Sequence, residues 1–327
     1  GKFKDKVVFI TGSSKGIGKA TARELVLRGA KVVLNGRNAE VLSRTAEELG
    51  RIVEEKRNTS EEVTRTEEEE VTRTKEESTR TEEEVTRTKE ESTRAEKEST
   101  RAEDNRKAEG GELMQIAADV SEPEAFEQAV QAIIQRYGRL DILILNAGLS
   151  SYGTVEKTSD ATLHNVMKSN TFAPFTSARI ALPHIRKTKG SIVFISSLAG
   201  LHGIPHSSVY SMSKMALTAL AQSLKTELTG QGIHIGILYV GFTQNDPEKM
   251  AVGPDGRIRP IQSRPGWVQQ SPQKVARLIL RNISRRRFRS TLSTMGKVMA
   301  FFSRYFPRLF QFFLRGMLKQ AEKLTAD

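Results

Sequence analysis

The chain of 327 residues has no cysteine. A disulfide scaffold, a cysteine-rich zinc site and a thiol catalyst are thereby excluded. Its five histidines lack the close pairing of a zinc-protease helix. Long apolar runs are missing too. Val7 to Ile10 is an apolar run of only four residues after Lys2, Lys4 and Lys6, too short for the core of a signal peptide, so no targeting signal is expected. No stretch approaches the roughly 20 apolar residues that cross a bilayer. Residues 51–109 contain neither glycine nor proline and have only eight members of the hydrophobic set. They cannot build a core of their own.

What is present divides into unlike parts. The formal net charge is +12. Residues 51–109 hold 14 basic and 20 acidic side chains, so the remainder of the chain carries +18. Without this acidic segment the hydrophobic fraction rises from 37% to about 42%, within the ordinary globular range. Inside the segment, Glu69–Glu82 and Glu83–Glu96 are near copies that differ only at Thr81 versus Ala95. Val71, Ser78, Val85, Ser92 and Ser99 share one heptad register, a coiled-coil spacing with weak seam residues. Two readings stay open: a polar helix that pairs with a partner, or a solvated low-complexity repeat. Asn58-Thr59-Ser60 followed by Glu61 and Glu62 predicts the cap of a fresh helix there.

Outside the segment, short apolar runs alternate with helical periodicity. Strands are predicted at Lys6–Ile10, Lys31–Leu34, Leu113–Ala117, Asp141–Leu145, Ser191–Ile195 and Ile233–Tyr239. Helices are predicted at Lys19–Arg28, Ala39–Leu49, Pro123–Tyr137, Thr162–Leu182 and Ser208–Leu228. This alternation predicts an α/β fold: one Rossmann-like, doubly wound parallel sheet covered on both faces. The expected organisation is a single catalytic domain from residues 1–50 and 110–284, a charged insert over 51–109, and a carboxyl tail over 285–327.

The first strand leads into Thr11-Gly12-Ser13-Ser14-Lys15-Gly16-Ile17-Gly18, which opens a helix. Glycines there let backbone approach a pyrophosphate, whose charge suits the helix N-terminus. The spacing is GxxxGxG rather than the GxGxxG fingerprint. Asn146-Ala147-Gly148 follows another strand, Ser196-Ser197 a third, and Tyr210 and Lys214 stand four apart on one helical face.

Through TGSSKGIG, NAG, the serine and YxxxK in that order, the sequence resembles the short-chain dehydrogenase/reductases, from Lys2 to about Tyr239 apart from the insert. The resemblance implies that Tyr210 is the general acid/base, that Lys214 and the oxidised nicotinamide lower its pKa by charge proximity, and that Lys214 holds the nicotinamide ribose. It implies that Ser197 fixes the substrate oxygen and that Asn170, on the long helix, holds a relay water. Gly12, Ser14, Lys15, Gly16, Ile17 and Gly18 would cradle the cofactor. Asp119 and Val120 would meet the adenine, and Asn146 and Gly148 the adenosine side. The family's Pro-Gly with a later Thr is replaced by Val240-Gly241-Phe242-Thr243, which leaves Thr243 as the candidate for the carboxamide. The second strand ends in Asn35-Gly36-Arg37-Asn38, without the acid that binds the ribose hydroxyls of NAD. Arg37, joined by Lys15, suits a 2′-phosphate, so the expected cofactor is NADP(H). No metal is expected. Residues 246–265, rich in glycine and proline, are expected to form a mobile lid over the substrate.

The tail is basic and aromatic. Residues 277–327 carry 12 Lys and Arg against two acids. Lys297, Arg304, Arg308 and Arg315 fall on one narrow arc of a helical wheel, with Phe and Leu filling the rest and Pro307 dividing it. Such a segment suits a membrane interface; burial of the same face in a dimer interface or over the substrate cleft is the rival reading, and an extra core helix the plainest one. The enzyme reading is thus a carbonyl/alcohol oxidoreductase on a lipophilic substrate, a homo-oligomer, cytoplasmic with peripheral membrane contact. The alternative is a non-catalytic cofactor-binding scaffold working through insert or tail. A nucleic-acid binder has the basic body but none of the recognised motifs.

Overall fold

The computed structural model describes residues 1–59, 111–244, 250–260 and 269–292, together with 298, 301–302, 305–306, 308–312 and 315–316 of the carboxyl stretch. The repeat, its heptads, Ser60 and Pro307 lie outside the described residues.

Four-residue apolar runs with no polar face must be buried on both sides. Accordingly β1 (Val7–Ile10) and β4 (Ile142–Leu145) are wholly buried. They join β2 (Lys31–Gly36), β3 (Leu113–Ala117), β6 (Ser191–Ser197), β7 (His234–Val240) and β10 (Arg289–Ser290) in one parallel sheet of order β10-β7-β6-β4-β1-β2-β3. Side chains alternate between the two faces. Val8 and Ile10 enter one core with Ala22, Leu42 and Ile279, whereas Val7 and Phe9 enter the other with Phe126, Ile185 and Leu217. Helices α1 (Gly16–Val26), α2 (39–59) and α7 (Pro272–Ser284) therefore cover the first face. Helices α3 (Pro123–Tyr137), α5 (Ala173–Thr188) and α6 (Ser208–Glu227) cover the second.

Four differences from the sequence reading have physical causes. Helix α2 runs on past Leu49 into the insert, as expected, and is helical through residue 59. Thr59 turns its hydroxyl back onto the Glu55 carbonyl, 2.8 Å away, so residues 58–59 belong to this helix, where a fresh cap was expected. The single helix expected over Thr162–Leu182 is α4 (Asp160–Met167), a π turn at Lys168–Phe172, and α5. Pro174 has no N–H to give the carbonyl of Asn170, and Ala173 N–H reaches back five residues to Lys168 instead. The described part of the lid, 250–260, is an antiparallel hairpin of β8 (Met250–Val252) and β9 (Ile258–Pro260) that extends β5 (Ser150–Ser151) into a second sheet. Finally, β10 lies within the stretch expected to be tail. It pairs with Ile237 and Leu238, and the buried His234 donates from Nε2 to the Arg287 carbonyl while its Nδ1 meets Ser191 Oγ.

The chain returns from the acidic segment through Gly111. Its N–H donates to the Val26 carbonyl, and a Cβ there would collide with the Val26 and Ala30 carbonyls. Glycine at that point admits the backbone between α1 and β3.

Candidate active site

Adjacent parallel strands deliver their following loops to one edge of a sheet. β1, β4, β6 and β7 stand side by side, so the glycine loop, Asn146, Ser197 and Thr243 converge. Thr11 Oγ accepts the N–H groups of Asn146 and Ala147, each at 3.0 Å, while Asn146 Nδ2 donates to the carbonyls of Thr11 and Gly12. These four bonds lock the loops after β1 and β4 together. Gly12 adopts φ +62°, and a Cβ there would stand 2.9 Å from Ala147 Cα.

The same loop fits a dinucleotide. Gly16 is exposed at the start of α1 with open space where a Cβ would be. Lys15, the N-cap, makes no side-chain capping bond, which leaves the first amides of α1 for an anion. Gly18 is buried, and a Cβ on it would strike the Gly12 carbonyl and Asn146. Ser14 lies against Gly36 at the end of β2. Ile17 turns its side chain into the core and offers only backbone to the loop. Val120 likewise packs on the core beyond β3.

At the outer corner, Arg37 is 71% exposed and its guanidinium approaches Asp119 at 3.9 Å. Asp119 also accepts from the Ser121 amide (2.9 Å) and hydroxyl (2.7 Å). Burial pushes the Asp119 carboxyl up, but the Ser121 bonds and the cations Arg37 and Lys168 outweigh it and hold the carboxyl below its ordinary value.

Ser197, Tyr210 and Lys214 sit between β6 and α6. Ser197 ends β6 in register with Val240 of β7. Tyr210 is the third residue of α6 and Lys214 lies one turn on, buried. Lys214 Nζ lies 5.8 Å from the Tyr210 ring centre and donates to the Ile195 carbonyl at 3.2 Å. Burial pushes the Tyr210 phenol above its ordinary pKa, and a hydrogen bond with Ser197 opposes the shift without reversing it. Desolvation of the phenolate is the largest influence on the ring from the protein's own groups.

Asn170 falls in the π turn and is fully buried. Its Oδ1 accepts from the Leu149 N–H at 2.7 Å, and its Nδ2 donates to the Leu149 carbonyl and to Ser213 Oγ. The side chain is thus committed to fixing the loop after β4 against α6. A Cβ at Gly148 would stand 2.9 Å from Asn170 Oδ1 and 3.3 Å from Lys214 Nζ. Glycine at 148 is what allows those two side chains to approach the loop. Thr243 is held beyond β7 by a bridge to Gln270, with Gln244 N–H and Gln270 N–H bonded across it.

One positioning residue escaped the sequence reading. Asn35, 1% exposed, accepts from the Gly12 N–H and donates to the carbonyls of Ile116 and Ala118. The signal was available: a polar side chain ending an apolar buried strand must find partners. Among the described residues no group of three or more acids and histidines could hold a metal, and no helix is long and apolar enough to cross a membrane.

A doubly wound sheet with a glycine-rich first turn, and a Ser-Tyr-Lys set at its carboxyl edge, defines a nicotinamide-dinucleotide-dependent oxidoreductase fold. The short chain dehydrogenase profile matches residues 6–86 and 78–252, and the chain belongs to that family. It is 38% identical over 141 residues to an uncharacterized oxidoreductase of Thermotoga maritima, covering 43% of this chain and 55% of that protein. It is 31% identical over 208 residues to dehydrogenase/reductase SDR family member 7B of Xenopus tropicalis, covering 63% and 67%. It is 34% identical over 143 residues to the 3-ketodihydrosphingosine reductase of Bacteroides thetaiotaomicron, covering 41% and 52%. The chain thus spans about half to two thirds of the length of these relatives. Among solved structures, an alcohol dehydrogenase of Thermococcus sibiricus complexed with 5-hydroxy-NADP matches at TM-score 0.61 and 20% identity, over 88% of this chain and 96% of that one. A short chain dehydrogenase/reductase of Burkholderia phymatum in complex with NAD matches at TM-score 0.61 and 21% identity, over 89% and 90%. These structural likenesses speak to the fold.

Proposed function

We propose that the chain is an NADP(H)-dependent oxidoreductase that interconverts a carbonyl and a secondary alcohol on a lipophilic substrate. The observation that carries the reading is the convergence of Ser197, Tyr210 and Lys214 beside a glycine loop that fits a dinucleotide. NADPH, when bound, supplies the hydride that the carbonyl carbon receives. In reduction Ser197 holds the carbonyl oxygen by its hydroxyl. Tyr210, kept protonated by burial, gives its proton to that oxygen, so the product is the neutral alcohol. The buried Lys214 places its positive charge beside the ring as phenolate develops. Asn170 acts through Leu149 and Ser213, keeping the loop after β4 and helix α6 at a fixed separation.

The preference for NADP(H) rests on Arg37 and on the lack of an acid at the end of β2. Relatives of this fold are complexed with either dinucleotide, so the choice lies with this chain's own cations. A lipophilic substrate is supported by the aromatic tail and by the relative named 3-ketodihydrosphingosine reductase. Peripheral membrane contact is supported by the tail's mixture of exposed aromatic and cationic side chains. The exposed Phe172, Phe175, Met212 and Met215 on the outer side of α5 and α6 support pairing with a second copy.

Tyr210→Phe keeps the ring and removes the proton. Ketone-dependent NADPH oxidation is expected to fall about 100- to 10,000-fold, with NADPH binding by fluorescence titration unchanged. Turnover within about threefold of the parent enzyme refutes the acid role of Tyr210.

A further inference from the structure

The tight turn Leu198–Gly200 that follows Ser197 is pressed onto α6. Gly200 is buried, and a Cβ there would stand 2.5 Å from Ser196 Oγ and 2.8 Å from the Lys214 carbonyl oxygen. Glycine lets the turn come this close. Ser196 Oγ donates to the Lys214 carbonyl at 3.2 Å, which ties β6 to α6 but bypasses the turn. Thr218 grips the turn's own backbone. It stands one helical turn after Lys214, on the same face of α6, and its hydroxyl donates to the Gly200 carbonyl at 3.0 Å. Behind it the buried Tyr239 of β7 donates its hydroxyl to Thr218 Oγ at 3.3 Å. At the other end of the turn the Ala199 N–H donates to Ser197 Oγ at 3.3 Å. That bond fills one lone pair of the serine hydroxyl and leaves its hydrogen for another acceptor. The same side chain is hydrogen-bonded to the Tyr210 phenol.

We infer that Thr218 is a positioning residue: by holding the Gly200 carbonyl it keeps the Ala199 N–H on Ser197 Oγ, and so keeps the serine hydroxyl aimed beside Tyr210. This rests on the reading of Ser197 and Tyr210 given above. Thr218 acts through backbone alone. Its hydroxyl meets the Gly200 carbonyl, has the Lys214 carbonyl 3.5 Å away, and accepts from Tyr239. Without that hydroxyl the turn keeps its internal bond from the Leu201 N–H to the Leu198 carbonyl. It loses its side-chain tether to α6, and the Ala199 N–H is free to swing away from Ser197. The serine hydroxyl then samples directions that miss the carbonyl oxygen. A polar group misplaced by a fraction of an ångström costs rate rather than cofactor affinity. The glycine loop is spared, because it follows β1, two strands away from β6 in the sheet.

The test uses the full chain and follows NADPH oxidation with cyclohexanone and with a long-chain methyl ketone, NADPH binding by fluorescence titration, and hydrogen exchange over residues 198–201. Thr218→Val keeps the branched shape and removes the hydroxyl. It is expected to lower kcat for both ketones about tenfold or more, to leave the Kd for NADPH within about twofold, and to speed exchange over 198–201. Thr218→Ser restores the hydroxyl and is expected to bring kcat back to within about threefold of the parent. In a Ser197→Ala background, Thr218→Val should cost less than about a further twofold, since the group it aims is gone. Thr226→Val is the control: it loses a hydroxyl bond of the same kind, to the Gln222 carbonyl at 3.2 Å on the exposed end of α6, and is expected to match the parent. A Thr218→Val enzyme with kcat within about twofold of the parent overturns the inference. So does an equal loss in Thr218→Ser, or an undiminished loss in the Ser197→Ala background. A parent protein that reduces neither ketone sinks the reductase reading. Exchange over 198–201 then decides the tether, and exchange as slow in Thr218→Val as in the parent overturns it.

Discussion

Asn35→Ala tests whether the cofactor loop is held from behind. The substitution removes three side-chain bonds: from the Gly12 N–H at 3.2 Å, to the Ile116 carbonyl at 3.1 Å and to the Ala118 carbonyl at 3.0 Å. A buried polar group left without its partner costs about 1–3 kcal/mol. Gly12 is only partly buried and recovers some of its loss from water, so about 3–5 kcal/mol is the expected total. At about 2–4 °C per kcal/mol for a domain of this size, the melting temperature falls by roughly 10 °C. Folding survives, because Asn35 N–H still donates to Ser13 Oγ and its carbonyl still accepts from Ser13 N–H. Freed from Asn35, Gly12 samples conformations that cannot take a pyrophosphate, and the apparent Kd for NADPH rises in proportion to the lost competent fraction, about tenfold for 1.4 kcal/mol. Asn38→Ala is the control. Its exposed side chain only caps α2 through the Val41 N–H, so about 1 kcal/mol of stability is lost and NADPH affinity is kept. The assays are thermal melts and fluorescence titration with NADPH. The reasoning is refuted when Asn35→Ala is no less stable than Asn38→Ala, or when its NADPH affinity is unchanged.

Two further outcomes follow from the same geometry. Arg37→Ala is expected to raise the KM for NADPH about 10- to 100-fold, as the loss of one or two charge-assisted bonds requires, and to leave the KM for NADH alone; initial rates with both dinucleotides decide, and an unchanged NADPH value removes Arg37 from the site. Because the Tyr210 phenol lies above its ordinary value and reduction needs its protonated form, kcat/KM for ketone reduction should be flat through neutral pH and fall as pH rises towards that pKa, whereas alcohol oxidation should rise with pH. A reduction rate that climbs with pH contradicts the assignment.

The parts legible from sequence were those that repay a single pattern. β1 and β4 are runs of four apolar residues between turn signals, and both are buried strands. The glycine loop opens a helix after an apolar strand, and Tyr210 and Lys214 stand one helical turn apart, both as their spacing predicts; Ser197 stood out only through the family resemblance. The π turn was legible in principle, through Pro174, but the apolar spacing across Lys168–Phe172 continues as though the helix were unbroken. β10 was not legible. It is two residues, Arg289-Ser290, with no alternation, and it is a strand only because the edge of β7 offers it unpaired backbone. The hairpin at 250–260 gave glycine and proline signals that fit a loop equally well. Its strands are fixed by pairing with β5, more than a hundred residues earlier, and by Thr162 Oγ donating to the Gly253 carbonyl.

The strand order explains why an acidic insert and an aromatic tail coexist with an intact site. Every residue of the candidate site hangs from β1, β2, β4, β6 or β7, or from the helices and loops directly attached to them, with Asp119 and Val120 at the end of β3. The insert precedes β3, which forms one edge of the sheet, and the tail follows β10, which forms the other. An addition next to an edge strand leaves the inner register untouched, since only one side of that strand is paired. The two additions differ in what they can influence. The chain re-enters from the insert at Gly111, tight against the Val26 and Ala30 carbonyls and remote in the strand order from Ser197. Phe310, beyond β10, meets His202, inside the segment joining Ser197 to Tyr210. A change in the insert reaches the candidate site through β3 and the Arg37–Asp119 pair beyond it.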